Sequence, residues 1–216
     1  MRDILVGPIF AIALVLQDTF ALHGSCVGRD GFAISFIGTN GIGKSTLAAA
    51  YVADGWQLLT DGMFVARIED GRAFVQPGDP RIRMRPGTAA MLQDLPSVDA
   101  AESAARGKAN VPIGGAGWGR FSDSPQRLCV AYILAPGEPE AGVSVTACIG
   151  ADALISLTAN TYGAASFERE ALGRHLKYIE RFAKAVPLRR LHYGKRIDNL
   201  QDMRKAIDRD VESFRD

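Results

Sequence analysis

Apolar positions change their spacing along the chain, and each spacing predicts a different element. Between Gly31 and Gly38, residues Phe32, Ala33, Ile34, Phe36 and Ile37 form a short apolar run, the mark of a strand buried on both faces. A glycine-bearing loop follows, then residues 45–53, where Thr46, Leu47 and three alanines favour a helix that Asp54-Gly55 ends. Residues 56–60 read as a second strand that delivers Asp61 to its C-terminal end, where α/β sheets bind ligands. Two further runs, 63–68 and 73–76, flank Glu69-Asp70-Gly71-Arg72 and predict a hairpin, because Asp-Gly tolerates the positive φ angles of a tight turn.

After the rigid turn Pro77-Gly78-Asp79-Pro80, Arg81, Arg83 and Arg85 alternate with Ile82 and Met84, so an extended segment puts the three guanidinium groups on one face. That face is either an anion site or solvated charge on an edge strand. Residues 88–95 predict a short helix, and 96–108 carry little pattern. The stretch 111–119 holds four glycines around Trp118, which predicts a mobile loop over a site, with Trp118 anchoring it or touching substrate. Strands are expected at 127–134 and 143–149, separated by a turn at Pro136-Gly137-Glu138-Pro139. Ser166 is positioned to cap a helix whose Phe167, Leu172, Leu176, Ile179, Ala183 and Val186 form its apolar stripe before Pro187 stops it. Leu200, Met203, Ile207, Val211 and Phe214 mark a last amphipathic helix, and no internal repeat is visible.

The most apolar stretch, 4–16, contains Pro8 and falls short of the roughly 20 residues that span a bilayer. Asp3 beside Arg2 and the lack of a small-x-small site before His23 also argue against a signal peptide, leaving a helix buried under the sheet as the expectation. Composition adds constraints. The 216 residues, 47% hydrophobic, suffice for one generous domain. With 25 Lys+Arg against 24 Asp+Glu the net charge is +1, so no global field recruits nucleic acid or an anionic membrane, and neither is expected as a partner. Cys26, Cys129 and Cys148 lack disulfide or zinc spacing and fit a reducing cytoplasm.

The chemistry concentrates in Gly38-Thr39-Asn40-Gly41-Ile42-Gly43-Lys44-Ser45, which satisfies G-x-x-x-x-G-K-[ST] and is followed by Thr46. In such a P-loop the glycines let successive backbone N–H groups converge on phosphate oxygens, Lys44 reaches the β and γ phosphates, and Ser45 sets its hydroxyl on Mg²⁺. The preceding strand and following helix are the context the motif requires. Mg-ATP is therefore the expected cofactor. Asp61 is placed to hold Mg²⁺ or to accept a proton from an attacking hydroxyl, or it is a solvated turn residue before Gly62. His23, alone before the first strand, reads as structural on its own residues.

The order of these motifs resembles the catalytic domain of HPr kinase/phosphorylase and its relatives, which transfer phosphate from ATP to a protein serine. A His-Gly-Ser turn precedes a strand, then Gly-Thr-Asn-Gly-Ile-Gly-Lys-Ser-Thr-Leu-Ala, then Gly55-Trp-Gln-Leu-Leu-Thr-Asp61. Gln76-Pro-Gly-Asp-Pro-Arg-Ile-Arg83, Val111-Pro-Ile and Ala185-Val-Pro-Leu-Arg-Arg-Leu191 are more similar to the branch found in lasso-peptide biosynthesis, whose members phosphorylate the C-terminal serine of a precursor peptide. The resemblance implies an α/β, PEP-carboxykinase-like P-loop fold, with a mixed central sheet, a P-loop helix and C-terminal helices, as one catalytic domain over 1–216. It implies a peptide partner with an acceptor serine and homo-oligomeric assembly. It also implies nucleotide and metal roles for Lys44, Ser45 and Asp61, a catalytic role for His23, and charge stabilisation by Arg81 or Arg83.

Two departures qualify it. Asp61-Gly62 stands where the family carries paired aspartates, so one carboxylate must serve, or Asp79 or Glu69 must replace the other. The Glu-x-Arg-Gly segment of true HPr kinases is not evident, which argues against HPr as substrate and against coupled phosphorylase activity. The chain begins near the motif-bearing core, so substrate capture is expected to differ from that of relatives with an additional N-terminal region. Against the kinase stand a nucleotide-binding regulator without turnover and an enzyme running phosphoserine chemistry in reverse.

Overall fold

The computed structural model describes residues 13–15, 17, 19–84, 107, 109–164, 167, 169–194 and 199–214. The expected helix at 88–95, the Ser166 cap and Arg85 lie outside these residues, as does most of the 4–16 segment. Short strands β1 (Ala21–Leu22) and β2 (Gly24–Arg29) precede β3 (Phe32–Ile37), which enters helix α1 (Lys44–Ala53) through the 38–43 loop. Strand β4 (Gln57–Thr60) is followed by the hairpin β5 (Phe64–Glu69) and β6 (Arg72–Val75). Then come β7 (Arg81–Met84), β8 (Ala109–Pro112), β9 (Arg120–Phe121), β10 (Gln126–Gly137) and β11 (Ser144–Ala147). Helices α2 (Gly150–Ala159) and α3 (Arg169–Ala185), strand β12 (Leu188–Gly194) and helix α4 (Leu200–Val211) close the described chain.

These elements form a curled, mixed sheet in the order β1-β5-β6-β10-β3-β2-β4-β9, with β12 also on β10 and β11 on β12; β7 and β8 form a separate ribbon. Strand β10 causes the curl. Its first residues pair antiparallel with β6 at Val75 and Phe74, whereas from Ala131 onward it pairs parallel with β12. Strand β3 lies parallel to β10 and antiparallel to β2, which separates it from β4.

Period-two alternation in β3 feeds two cores. Ile34 and Phe36 face α1, α4 and the β7–β8 ribbon, packing with Leu47, Tyr51, Ile82 and Ile207. Ala33 and Ile37 face α2 and α3, packing with Leu157, Ile179 and Phe182. Helix α4 is pinned over α1 by polar ties at its edge, where Tyr51 Oη donates to Asp208 at 2.8 Å and Arg204 pairs with Asp54. Asp70 and Gly71, at φ 48° and 73°, make the expected hairpin turn.

Several expectations are corrected. Residues 111–119 do not hang over a site: Trp118 sits in the α1-side core, and Gly114, Gly117 and Trp118 close a turn on Pro112, Gly114 and Trp118 carbonyls. The Pro136-Gly137 turn is the continuing end of β10, because β12 pairs with it through Gly137. In α3 the stripe is rotated: Ala171, His175, Ile179 and Phe182 are buried, while Leu172 and Leu176 are 40% and 50% exposed. Polar atoms decide that rotation. It carries His175 Nε2 to 2.7 Å from Thr161 Oγ1 and lets Tyr178 and Arg181 donate to the Ala66 and Ile68 carbonyls on the β5 edge. Those two bonds cover an edge that β1 pairs only at Phe64 and Val65.

Candidate functional site

Strand β2 brings the first partner to Asp61. Antiparallel register pairs Cys26 with Thr60, so the next residues out, Ser25 and Asp61, meet at the end of β4. The fully buried Ser25 donates its hydroxyl to Asp61 Oδ1 at 2.5 Å. Ser45, in the first turn of α1, donates to the same oxygen at 2.8 Å. The backbone N–H of Arg83 donates to Oδ2 at 2.9 Å. Three of the roughly four lone-pair positions of the carboxylate are therefore engaged, and the free one is on Oδ2. Because Ser45 gives its proton to Asp61, its own lone pairs are turned outward. The same negative charge, after burial, helps push the Cys26 thiol pKa up.

The 38–43 loop is held from several sides. Gly43 caps α1 at φ 107°, a conformation that costs any L side chain dearly, so this motif position demands glycine. Lys44 is 6% exposed and donates to the Thr39 carbonyl at 2.8 Å, bridging the loop from end to start. From β12, the Tyr193 hydroxyl donates to the Ile42 carbonyl, and burial raises its pKa to about 12. Gly38 N–H donates to the His23 carbonyl, and His23 N–H donates to Asn160 O, so the His23 backbone ties the loop to the end of α2.

A cleft of about 1080 Å³ opens beside this cluster. His23, Thr39, Asn40, Asp61, Asp79 and Arg83 are on its wall. Lys44, Ser45, Gly38, Gly41, Ile42, Gly43 and Thr46 are in or beside the loop but not on that wall, and neither are Arg81 and Glu69. Arg81 instead grips Asp79 through Nε at 2.8 Å and Nη2, which fixes Asp79 facing the cleft. Of the two residues weighed as a second carboxylate, only Asp79 lines the cleft.

No family model matches the chain, and no curated protein matches it. Among solved structures it is similar to "Structure of the Hpr(Ser) kinase/phosphatase from Coxiella burnetii", with 11% identity over 89% of this chain and 97% of that one. The TM-score of 0.42 makes that likeness loose, and the geometry of the site carries the functional reading.

The donor set suits Mg²⁺ with a nucleotide. Among the described residues no three His, Cys, Asp or Glu side chains cluster. A hard cation that shares phosphate oxygens and keeps its waters needs only one or two protein oxygens, and Ser45 and Asp61 offer a hydroxyl and a carboxylate. Sequence reasoning missed Ser25, Tyr193 and the 159–163 wall. Ser25 left a signal, being the polar residue of the His-Gly-Ser turn. Tyr193 left none, because β12 itself was not anticipated. Gly62, at φ 92°, has a backbone that an aspartate side chain resists, although nothing lies within 4 Å of a Cβ built there.

Proposed function

We propose that this chain is an ATP-dependent kinase that phosphorylates a serine hydroxyl on a peptide, working as one catalytic domain in the cytoplasm. The observation that carries the reading is Asp61, which accepts the Ser45 hydroxyl of a G-x-x-x-x-G-K-S loop while facing the cleft that His23 also lines. The loop N–H groups and Lys44 would hold the β and γ phosphates, and Ser45, with Asp61 behind it accepting its proton, would hold Mg²⁺. Bound there, Mg²⁺ supplies positive charge against the transferring phosphoryl group.

The chain's own residues account for the rest. The free lone pair of Asp61 receives the acceptor proton as the new O–P bond forms and the bond to the ADP leaving oxygen breaks. Arg83 and His23, on the same wall, balance charge on the transferred group. The resemblance to lasso-peptide kinases favours a precursor peptide ending in serine as acceptor. A second reading, nucleotide binding without transfer, draws support from the single carboxylate before Gly62, and reverse phosphoserine chemistry would use the same cleft.

The test is transfer of labelled γ-phosphate from Mg-ATP to serine-ended peptides. Lys44→Ala should remove ATP binding, and Asp61→Asn should abolish labelling. Tight ATP binding with no transfer to any peptide favours the regulator. Loss of the phosphoryl group from phosphopeptide on addition of inorganic phosphate, with pyrophosphate formed, favours the reverse enzyme.

A further inference from the structure

The cleft, about 1080 Å³, is at the upper end of the roughly 300–1000 Å³ typical of ligand pockets, and Gly43, Lys44 and Ser45 are not on its wall, so it offers a surface for a second molecule beside a nucleotide held at the loop. Its wall includes the β5–β6 hairpin and the end of α2. Register decides what the hairpin shows. Arg67 pairs with Phe74, and Gln76 N–H donates to Val65 O, so Val65, Arg67, Phe74 and Gln76 share one face. The alternate residues Phe64, Ala66, Ala73 and Val75 are buried in the core. Val65, Arg67 and Gln76 line the cleft.

Arg67 is exposed on that wall, and its guanidinium makes no ion pair or hydrogen bond with any described residue. Several other arginines are committed, Arg81 to Asp79, Arg181 to the Ile68 carbonyl, Arg189 to Asp210 and Arg204 to Asp54, and Arg67 differs from those that are not by lining the cleft. Asn160, also on the wall, is 8% exposed; its Nδ2 donates to Ser156 O, but its Oδ1 has no partner among the described residues. A buried acceptor without a donor costs about 1–3 kcal/mol unless something supplies an N–H. One wall thus offers a cation, an amide acceptor in want of a donor, and apolar surface at Val65. An acidic peptide presents the complement of all three.

We propose that this wall is the acceptor-binding subsite, with Arg67 taking a carboxylate of the peptide and Asn160 Oδ1 taking one of its N–H groups. The proposal rests on the reading that a peptide is the acceptor. Arg67 lies three residue steps, about 10 Å, along β5 from Phe64, which begins the strand on the side of Asp61, so the carboxylate recognised lies a few residues from the reacting hydroxyl of an extended chain. It belongs either to an acidic side chain or to the chain terminus.

The experiment uses the full chain with Mg²⁺ and a non-hydrolysable ATP analogue. Fluorescein-labelled degenerate octapeptides containing serine are compared by anisotropy in pools enriched in Glu, Gln or Lys, the Gln pool in both free-acid and amidated forms. The acid-bearing pools should bind about tenfold tighter than the amidated Gln pool. Preference for the Glu pool identifies a side chain, and preference for the free-acid Gln pool identifies the terminus. Arg67→Ala should erase the preference and Arg67→Glu should turn it toward Lys, each leaving the dissociation constant for the ATP analogue unchanged. Equal binding of all pools, no binding of the acidic pools, persistence of the preference in Arg67→Glu, or a shift in nucleotide affinity overturns the proposal. Failure of phosphoryl transfer in parallel assays, with the charge preference intact, would sink the kinase reading and leave the subsite standing.

Discussion

Replacing Asp61 by asparagine preserves shape, removes one charge, and turns two of four acceptor positions into donors. The Arg83 N–H is backbone and cannot rotate away, so the amide oxygen must turn toward it, and the amide N–H₂ then faces Ser25 and Ser45. Both hydroxyls must reverse and accept. Ser45 would then point its proton outward, toward the position a cation would occupy. Hydrogen bonds to charged groups contribute about 1.5–3 kcal/mol and neutral ones about 0.5–1.5, so three bonds lose about 3 kcal/mol in all. Relief from desolvating a half-buried carboxylate offsets part of this, leaving a stability loss of about 1–2 kcal/mol. Outer-shell changes of this kind weaken metal affinity about 10-fold to 100-fold. Calorimetric titration of ATP with and without Mg²⁺ separates the terms. Asp61→Asn should bind ATP alone within threefold of the unaltered chain and lose most of the gain that Mg²⁺ confers. An undiminished Mg²⁺ increment would refute the placement of Asp61 beside the cation.

Three other substitutions probe the surroundings. Gly62→Asp restores a paired carboxylate in sequence but forces an L residue to φ 92°; it should cost about 1–3 kcal/mol in denaturant titration and yield no gain in phosphoryl transfer. Tyr193→Phe removes the hydroxyl that holds the Ile42 carbonyl and should weaken ATP binding about fivefold, the equivalent of about 1 kcal/mol, with unchanged affinity counting against the latch. His175 is fully buried among Phe20 and Phe167, its Nδ1 has no partner among the described residues, and burial lowers its pKa. The unfolded chain therefore takes up the proton first as pH falls. Stability should be level above about pH 7, decline from about 6.5 toward the lowered native pKa, and be flatter across pH 5 to 6.5 in His175→Gln.

The elements readable beforehand were those whose cause is local. The strand at Phe32–Ile37, the helix from Lys44, the Asp70-Gly71 hairpin and the alternation of Arg81 and Arg83 around Ile82 each follow from neighbours within a few residues. Helix α2 and strand β12 were not anticipated. Strand β12 alternates weakly, with Arg189, Arg190 and His192 inside it, and only its pairing with β10 and β11 makes it a strand. The stripe of α3 was misread because Leu172 and Leu176 satisfy helical spacing as well as Ala171 and His175 do. The choice rested on hydrogen bonds to Thr161, Ala66 and Ile68, from residues distant in the chain.

The candidate site divides in the same way. The phosphate-loop motif and the strand that ends at Asp61 were legible from sequence alone, because backbone freedom at Gly43 and the span of one helix are local properties. That Ser25 and Ser45 share one oxygen of Asp61, that Arg81 is spent on Asp79 while Arg83 reaches Asp61, and that Tyr193 holds the loop from the other end of the chain were decided by tertiary structure. Each depends on strand register and on which partner reaches a polar atom at the position where the fold leaves it, and neither is written in the spacing of residues along one segment.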